Sequence, residues 1–499
     1  MNANIFSAFA AAAAQAGDKT FVEEAGATHS YAQLLDMSAR AAAVLSEHLA
    51  GGERRVLVQV EKSVPALWLY LGALRAGIVY IPLNTAYTAA ELDYFLSDAQ
   101  PGLFVASSET IARLEQAGSI PAGTRTLALE ADGDGPFADA LGAAPPAPDV
   151  AQCAADDIAA ILYTSGTTGR SKGAMLTHGN LLSNLRTLQE AWRWQADDVL
   201  VHALPIFHVH GLFVALHLAI AGGSTILFHR TFNADAVLAD LPRASVLMGL
   251  PTFYVRLLKD ERFTRDLAAG VRLFISGSAP LTEPVFKAFA ERTGQAILER
   301  YGMTEALMIT SNPYDGPRVA GTVGYPLDGV SARLAADTGA GEPGVLEITG
   351  PNVFTGYWLN PEKTAEAFTA DGWFRTGDIA TIADDGRVAL VGRGSDLIIS
   401  GGYNVYPKEI ELIVDELDGV EEAAVVGVPH PDFGEAVIAV VVARTGQTVD
   451  GDAIVAALRE KIAAFKTPKR VIVVDQLPRN AMGKVEKAAL RRRYAALFD

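Results

Sequence analysis

The sequence predicts an α/β protein, with a large N-terminal domain of helix-covered sheets and a small α+β domain after it. Three observations predict this. Short apolar strand candidates alternate with amphipathic helical stretches through most of the chain. The glycine-bearing segment Gly392-Arg-Gly-Ser-Asp396 breaks that alternation. Beyond it the pattern restarts on a smaller scale, over about a hundred residues with a core of their own.

The elements follow in order. Ser30-Tyr-Ala-Gln33 forms a capping box, and Leu34, Leu35, Ala42 and Leu45 give the helix it opens an apolar face. Strands are expected at 55–60, 79–83 and 102–106. Residues 131–149, rich in Gly, Pro and Asp, read as a surface linker between subdomains. Further strands are expected at 224–228, 246–250 and 272–276, an alternation that suggests mostly parallel sheets. In the C-terminal part, Pro407 suits the first turn of a helix facing inward through Ile410, Ile413, Val414 and Leu417. Strands at 422–428 and 437–443, a helix near 452–463 and a strand at 471–474 complete it. No internal repeat is evident.

Composition excludes some functions. The chain has 499 residues, half apolar and a fifth charged, an ordinary globular balance. A formal net charge of −17 argues against an electrostatic grip on nucleic acid. The single cysteine, Cys153, excludes an intrachain disulfide and a thiolate zinc cluster, and fits a reducing compartment. The longest apolar stretch, 212–228, is interrupted by His217, Gly222, Gly223, Ser224 and Thr225. It reads as a buried helix leading into a strand, not a membrane span. The first basic residue is Lys19, so the cationic start of a signal or transit peptide is missing, and the cytoplasm is expected.

The segment Tyr163-Thr-Ser-Gly-Thr-Thr-Gly-Arg-Ser-Lys-Gly173 concentrates hydroxyls, glycines and two cations in one loop. Freed backbone N–H groups, hydroxyls and the Lys172 charge can wrap a polyphosphate. The spacing is not that of a P-loop, and the short apolar flanks read as strands, so the loop joins two strands. Taken alone, a flexible polar turn is an equal reading.

Other segments follow in a telling order: Leu204-Pro-Ile-Phe-His-Val-His-Gly211, Phe274-Ile-Ser-Gly-Ser-Ala-Pro-Leu281 and Glu299-Arg-Tyr-Gly-Met-Thr-Glu305. Then come Gly350-Pro-Asn-Val-Phe-Thr-Gly-Tyr-Trp358, Trp373-Phe-Arg-Thr-Gly-Asp378, Gly392-Arg-Gly-Ser-Asp396 and Pro478-Arg-Asn-Ala-Met-Gly-Lys484. Together they resemble the adenylate-forming superfamily of acyl-CoA synthetases, adenylation domains and luciferases, over nearly the whole chain. The resemblance implies joining a carboxylate to AMP with loss of pyrophosphate, then passing the acyl group to a thiol.

It also implies roles. Thr164, Ser165, Gly166, Thr167, Thr168 and Lys172 would hold the ATP phosphates, and Glu305 would bind Mg²⁺, a hard cation that prefers oxygen ligands. Gly277, Ser278 and Ala279 would let backbone approach the adenine, with Tyr301 as a stacking face and Glu299, Gly302 and Thr304 beside it. Asp378 and Arg393 would bind the ribose, a carboxylate being able to accept two hydrogen bonds from a diol. Lys484 would be catalytic, since charge builds on the α-phosphate oxygens in the transition state. In family terms residues 1–393 form the AMP-binding domain, 394–396 the hinge and 397–499 a mobile lid. Ser395 stands where many relatives carry a hinge lysine. Rotation would bring the face with Ser400-Gly-Gly402 to serve thioester formation with coenzyme A.

Arg300 bears on which acid is activated. Many relatives with bulky acyl substrates have glycine just before the tyrosine of this motif. A buried guanidinium needs an anionic partner, and a carboxylate is its bidentate mate. The substrate would then be a short acid with a second carboxylate. An ion pair with adjacent Glu299 is the competing reading. The combination of Glu-Arg-Tyr-Gly-Met-Thr-Glu, His-x-His-Gly and Thr310-Ser-Asn-Pro-Tyr-Asp-Gly316 closely resembles malonyl-CoA synthetases. His208 resembles the histidine at the junction of acyl and nucleotide sites. His210 is read either as a substrate contact or as a satisfied core histidine. Val209 and Met308 are candidate pocket walls, and relatives often carry threonine at the position of Val209. The partners implied are malonate, ATP and CoA, with methylmalonate or another short-chain acid as the alternative, and neither nucleic acid nor membrane.

Overall fold

The computed structural model describes residues 2–147, 149–164, 171–336, 338, 342–400, 403–480 and 483–498. Local signals set the element ends. Ser30 caps the helix Tyr31–His48 and forms the full capping box with Gln33. Pro407 sits in the first turn of the helix Pro407–Asp415, where its missing N–H costs nothing. The helix Val64–Arg75 is apolar all round and buried along its whole length, as expected of a helix with no solvent face.

Among the described residues the N-terminal domain holds three sheets. A nine-stranded sheet runs Tyr325–Pro326, Leu307–Ser311, Leu298–Met303, Leu273–Ser276, Val246–Gly249, Val199–His202, Thr225–Phe228, Thr20–Glu24 and Ala27–Ser30. It is parallel from Leu298–Met303 to Thr20–Glu24 and antiparallel at both edges. A seven-stranded sheet runs Gly356–Tyr357, Lys172–Thr177, Ile158–Thr164, Val79–Pro82, Arg55–Gln59, Leu103–Ala106 and Arg125–Ala128. The third sheet, Ser331–Leu334, Gly344–Thr349, Phe374–Ile382 and Val388–Arg393, is wholly antiparallel. One continuous apolar core includes residues of all three sheets.

After Arg393 a single turn, Gly394–Asp396, leads into the second body. There Gly434–Ala443 pairs antiparallel with Val420–His430 and parallel with Arg470–Val474. The helix Pro407–Asp415 covers one face through buried Ile410 and Val414.

Two expectations need correction. Residues 131–149 are not a bare linker between subdomains. They contain the helix Pro136–Ala143, anchored by buried Phe137 and Leu141, and they connect two strands of the same seven-stranded sheet. Gly and Pro there start the helix instead of preventing it. The stretch expected as one buried helix opens as a π-helix, His210–Leu216, before the α-helix His217–Gly222. No helix among the described residues is long and apolar enough to cross a membrane.

Candidate active site

Thr164 closes one strand and Lys172 opens the next, directly opposite each other in antiparallel register. The intervening Ser165, Gly166, Thr167 and Thr168, expected to hold phosphates, lie outside the described residues, as do Gly401 and Gly402. The Lys172 ammonium stands 4.4 Å from the centre of the Tyr357 ring. The Tyr357 hydroxyl donates to Glu305 Oε1 at 3.0 Å.

Glu305 lies in the tight turn between Met303 and Leu307, closed by Leu307 in the left-handed region at φ 53°. It is buried, and burial raises its carboxyl pKa, opposed by Tyr357, Arg393 and Lys172. A carboxylate held by Tyr357, whose ring Lys172 faces, fits Mg²⁺, which takes one or two protein oxygens and completes its shell with water and substrate phosphates. Among the described residues no cluster of three or more His, Cys, Asp or Glu could cage a metal.

Glu299, Arg300 and Tyr301 share the strand Leu298–Met303, which runs parallel to Leu273–Ser276. The turn after Ser276 therefore lies beside them. Ser278 there adopts φ 69°, unusual for a side-chain-bearing residue, and Ala279 follows half-buried. The Tyr301 hydroxyl donates to Asp378 Oδ2 at 2.5 Å. Asp378 faces Arg393 in antiparallel register, with Nε 3.1 Å from Oδ1. This carboxylate raises the Arg393 pKa against the effect of burial. Gly302 and Thr304 complete the hairpin, and a Cβ on Gly302 would meet the Leu307 carbonyl oxygen at 2.1 Å.

Arg300 and Glu299 do not pair. Adjacent residues on a strand face opposite sides. Glu299 Oε1 accepts from the Leu281 N–H at 3.3 Å, and burial pushes its carboxyl up to about 7. Arg300 is 3% exposed, and its Nε and Nη2 have no hydrogen-bond partner among the described residues. Burial pushes its pKa down to about 9. Next to it, His210 Nδ1 is 3.2 Å from Ser278 Oγ, while its Nε2 is buried without a partner among the described residues. His208 Nδ1 accepts from the His210 N–H at 3.3 Å. Its pKa falls to about 3 through burial and the nearby Lys484 and Arg300 charges, so the ring is neutral.

Lys484 reaches this site from the C-terminal domain. Its loop is closed by Asn480, whose side chain accepts the Lys484 N–H at 3.0 Å, and Gly483 adopts φ 70° close to Thr252. Burial lowers the ammonium pKa to about 8, helped by Arg393 and Arg300 and opposed by Asp378 and Glu305. The structure thus gathers Arg300, His208, Asp378, Arg393 and Glu305 within electrostatic reach of Lys484.

Tyr357, in the Gly-Tyr-Trp part of its motif, carries no expected role from sequence. Nor does sequence show the His210–Ser278 contact. The signals were present as residue types, but their partners are 52 and 68 positions away.

Comparison with known proteins agrees with this geometry. The AMP-binding enzyme family matches residues 9–358, and the AMP-binding enzyme C-terminal domain matches residues 409–484. The crystal structure of ATP-bound MatB from Rhodopseudomonas palustris superposes with a TM-score of 0.94 at 50% identity, covering 100% of both chains. A malonate–CoA ligase of Arabidopsis thaliana is 32% identical, over 98% of this chain and 88% of that protein. A feruloyl-CoA synthase of Amycolatopsis is 36% identical, over 95% of this chain and 96% of that protein. The chain belongs to the AMP-binding enzyme family and has the adenylate-forming fold.

Proposed function

We propose that this protein ligates malonate to CoA at the expense of ATP, through malonyl-adenylate, giving malonyl-CoA, AMP and pyrophosphate. Relatives that are malonate–CoA ligases support the reaction class and the acid alike. The observation that carries the choice of acid is the buried Arg300 guanidinium, two of whose N–H-bearing atoms have no partner among the described residues. A buried unpaired charge costs several kcal/mol, roughly, and the distal carboxylate of a short diacid would offset it. His210 Nε2 offers a further polar contact beside it.

In the first half-reaction one malonate carboxylate attacks the α-phosphorus; the new O–P bond replaces the bond to the leaving pyrophosphate. The Lys484 ammonium stabilises charge that develops on the phosphoryl oxygens. Arg300 keeps the distal carboxylate away from the phosphorus, so only one end reacts. Asp378 and Arg393 hold the ribose, with Tyr301 anchored on Asp378 as the wall for the base. Thr164 and Lys172 flank the phosphate loop, and neutral His208 lines the junction between acid and nucleotide. Glu305 would hold Mg²⁺, which neutralises phosphate charge when bound.

In the second half-reaction the thiol sulfur of CoA attacks the acyl carbon, loses its proton and expels AMP. We place the pivot between the two steps at Gly394–Asp396, where Arg491 of the small domain donates to the Ser395 carbonyl at 3.1 Å and pairs with Asp396 at 2.9 Å. The cytoplasm, a reducing compartment, suits a chain whose one cysteine is half-buried and unpaired.

The alternative is methylmalonate or another short-chain acid. It rests on Val209 and Met308, both 2% exposed, as apolar pocket walls. Product masses from ATP, CoA and a panel of short mono- and dicarboxylic acids test the reading. Malonyl-CoA as the dominant product is expected; acetyl-CoA in its place would overturn the role of Arg300.

A further inference from the structure

One buried lysine makes no ion pair of its own among the described residues, although the Glu24 carboxylate acts on it from beyond contact. Lys62 is 6% exposed and precedes the buried helix Val64–Arg75. Its Nζ lies 2.8 Å from His202 Nδ1, 2.8 Å from the His202 carbonyl oxygen and 4.3 Å from the centre of the Phe228 ring. Among the described residues no carboxylate stands within ion-pair distance of it. A desolvated amine is costly, doubly so at the positive end of a helix, and nothing in the adenylation chemistry uses it.

We propose that Lys62 is a positioning residue for the acid pocket: through His202 it holds the Gly211 carbonyl, and with it the turn that carries His208 and His210. The proposal deepens the functional reading above and rests on it for the identity of the acid.

The hydrogen-bond directions follow from chemistry. The Gly211 carbonyl can only accept, so His202 Nε2 must carry the ring proton, and in the neutral ring Nδ1 is left to accept from the Lys62 amine. Nε2 lies 2.9 Å from the Gly211 carbonyl oxygen, to which it then donates. A doubly protonated ring could not accept from Lys62, and burial together with Lys62 keeps His202 neutral.

Gly211 is in the first turn of the π-helix His210–Leu216, a rare geometry concentrated at functional sites. A Cβ on Gly211 would sit 2.1 Å from the Pro205 carbonyl oxygen, so the Pro205–Gly211 turn is closed on itself. Any loss of the His202 donor is therefore passed along a stiff segment to His210 and its Ser278 contact. The link spans 140 positions in sequence and ends next to Arg300.

Three measurements test this. In Lys62→Met, kcat/KM for malonate should fall by about tenfold or more, while KM for ATP stays within about twofold. His202→Phe should give the same split, and the double variant should be no worse than the more severe single, since both break one relay. Equal losses for acid and ATP, or additive effects, would overturn the proposal. Imidazole ¹⁵N shifts of His202 in the unmodified enzyme should report a neutral ring protonated at Nε2. A ring protonated at Nδ1 would overturn the relay even if the variants fail to fold. If the enzyme turns over another acid in place of malonate, the functional reading fails and the relay is scored on that acid.

Discussion

The Arg300 guanidinium lies over the Cα of Gly277 so closely that a Cβ there would sit 2.3 Å from Cζ and 2.6 Å from both Nε and Nη1. The glycine is needed to leave room for a cation, not only for approach of a nucleotide. Gly277→Ala should displace the guanidinium, the movable partner, and leave the fold intact. We expect kcat/KM for malonate to drop by about tenfold or more, with a smaller change in KM for ATP. A variant whose malonate kinetics match the wild type would show that the guanidinium does not work from this position.

Arg300→Met separates function from stability. Loss of one member of a buried charge pair costs about 3–5 kcal/mol, so kcat/KM for malonate should fall by about a hundredfold or more. The free enzyme should melt at a higher temperature, because an unpaired buried charge is replaced by an apolar chain of similar length. A lower melting temperature would mean that the guanidinium is satisfied without substrate.

In the proposed mechanism Lys484 would set the alkaline limit of adenylation. Its ammonium has a pKa near 8, so kcat/KM for ATP, which reports the free enzyme, should decline as pH rises through about 8. Lys484→Ala should nearly abolish AMP formation from malonate, yet turn supplied malonyl-adenylate into thioester at close to the normal rate. Equal damage to both half-reactions would argue against alternation of the small domain.

Tyr357 orients the Glu305 carboxylate. Tyr357→Phe keeps the ring beneath Lys172 and removes only the hydroxyl. The Mg²⁺ concentration for half-maximal pyrophosphate release should rise by about tenfold, as for other partners behind a metal ligand. An unchanged Mg²⁺ requirement would assign the metal to other residues.

Asp415 ties the stability of the small domain to pH. It is 5% exposed, Oδ1 accepts from the Ala423 N–H at 2.8 Å, and burial pushes its carboxyl up to about 7. The folded state thus keeps a proton that the unfolded chain releases near pH ~4. The associated stability is full below about pH 4 and is lost as pH rises through 7. Asp415→Asn, neutral throughout, should match the wild type at or below about pH 4 and melt progressively higher than it as pH rises to 7, the difference levelling off above that. A constant difference at all pH values would show that Asp415 is ionised in the fold.

The readable part of this protein was local. The Ser30–Gln33 box, Pro407 at a helix start and the alternation of apolar strands and helices each act within a few residues, so sequence alone determined those elements. The motif order also determined the family, because spaced glycines, hydroxyls and charges keep their identity without a structure. Helix 136–143 escaped because its Gly and Pro mimic a linker, while its anchors, Phe137 and Leu141, acquire meaning only against the sheet they cover.

What the tertiary structure alone decided is who meets whom. Arg300 fits because Gly277 lies across a parallel pair, His210 meets Ser278 68 positions on, and Lys62 finds His202 across 140. No window of sequence contains these partners. Sheet order and register bring them together, and those are fixed by burial of the whole core, not by the preferences of the residues that do the chemistry.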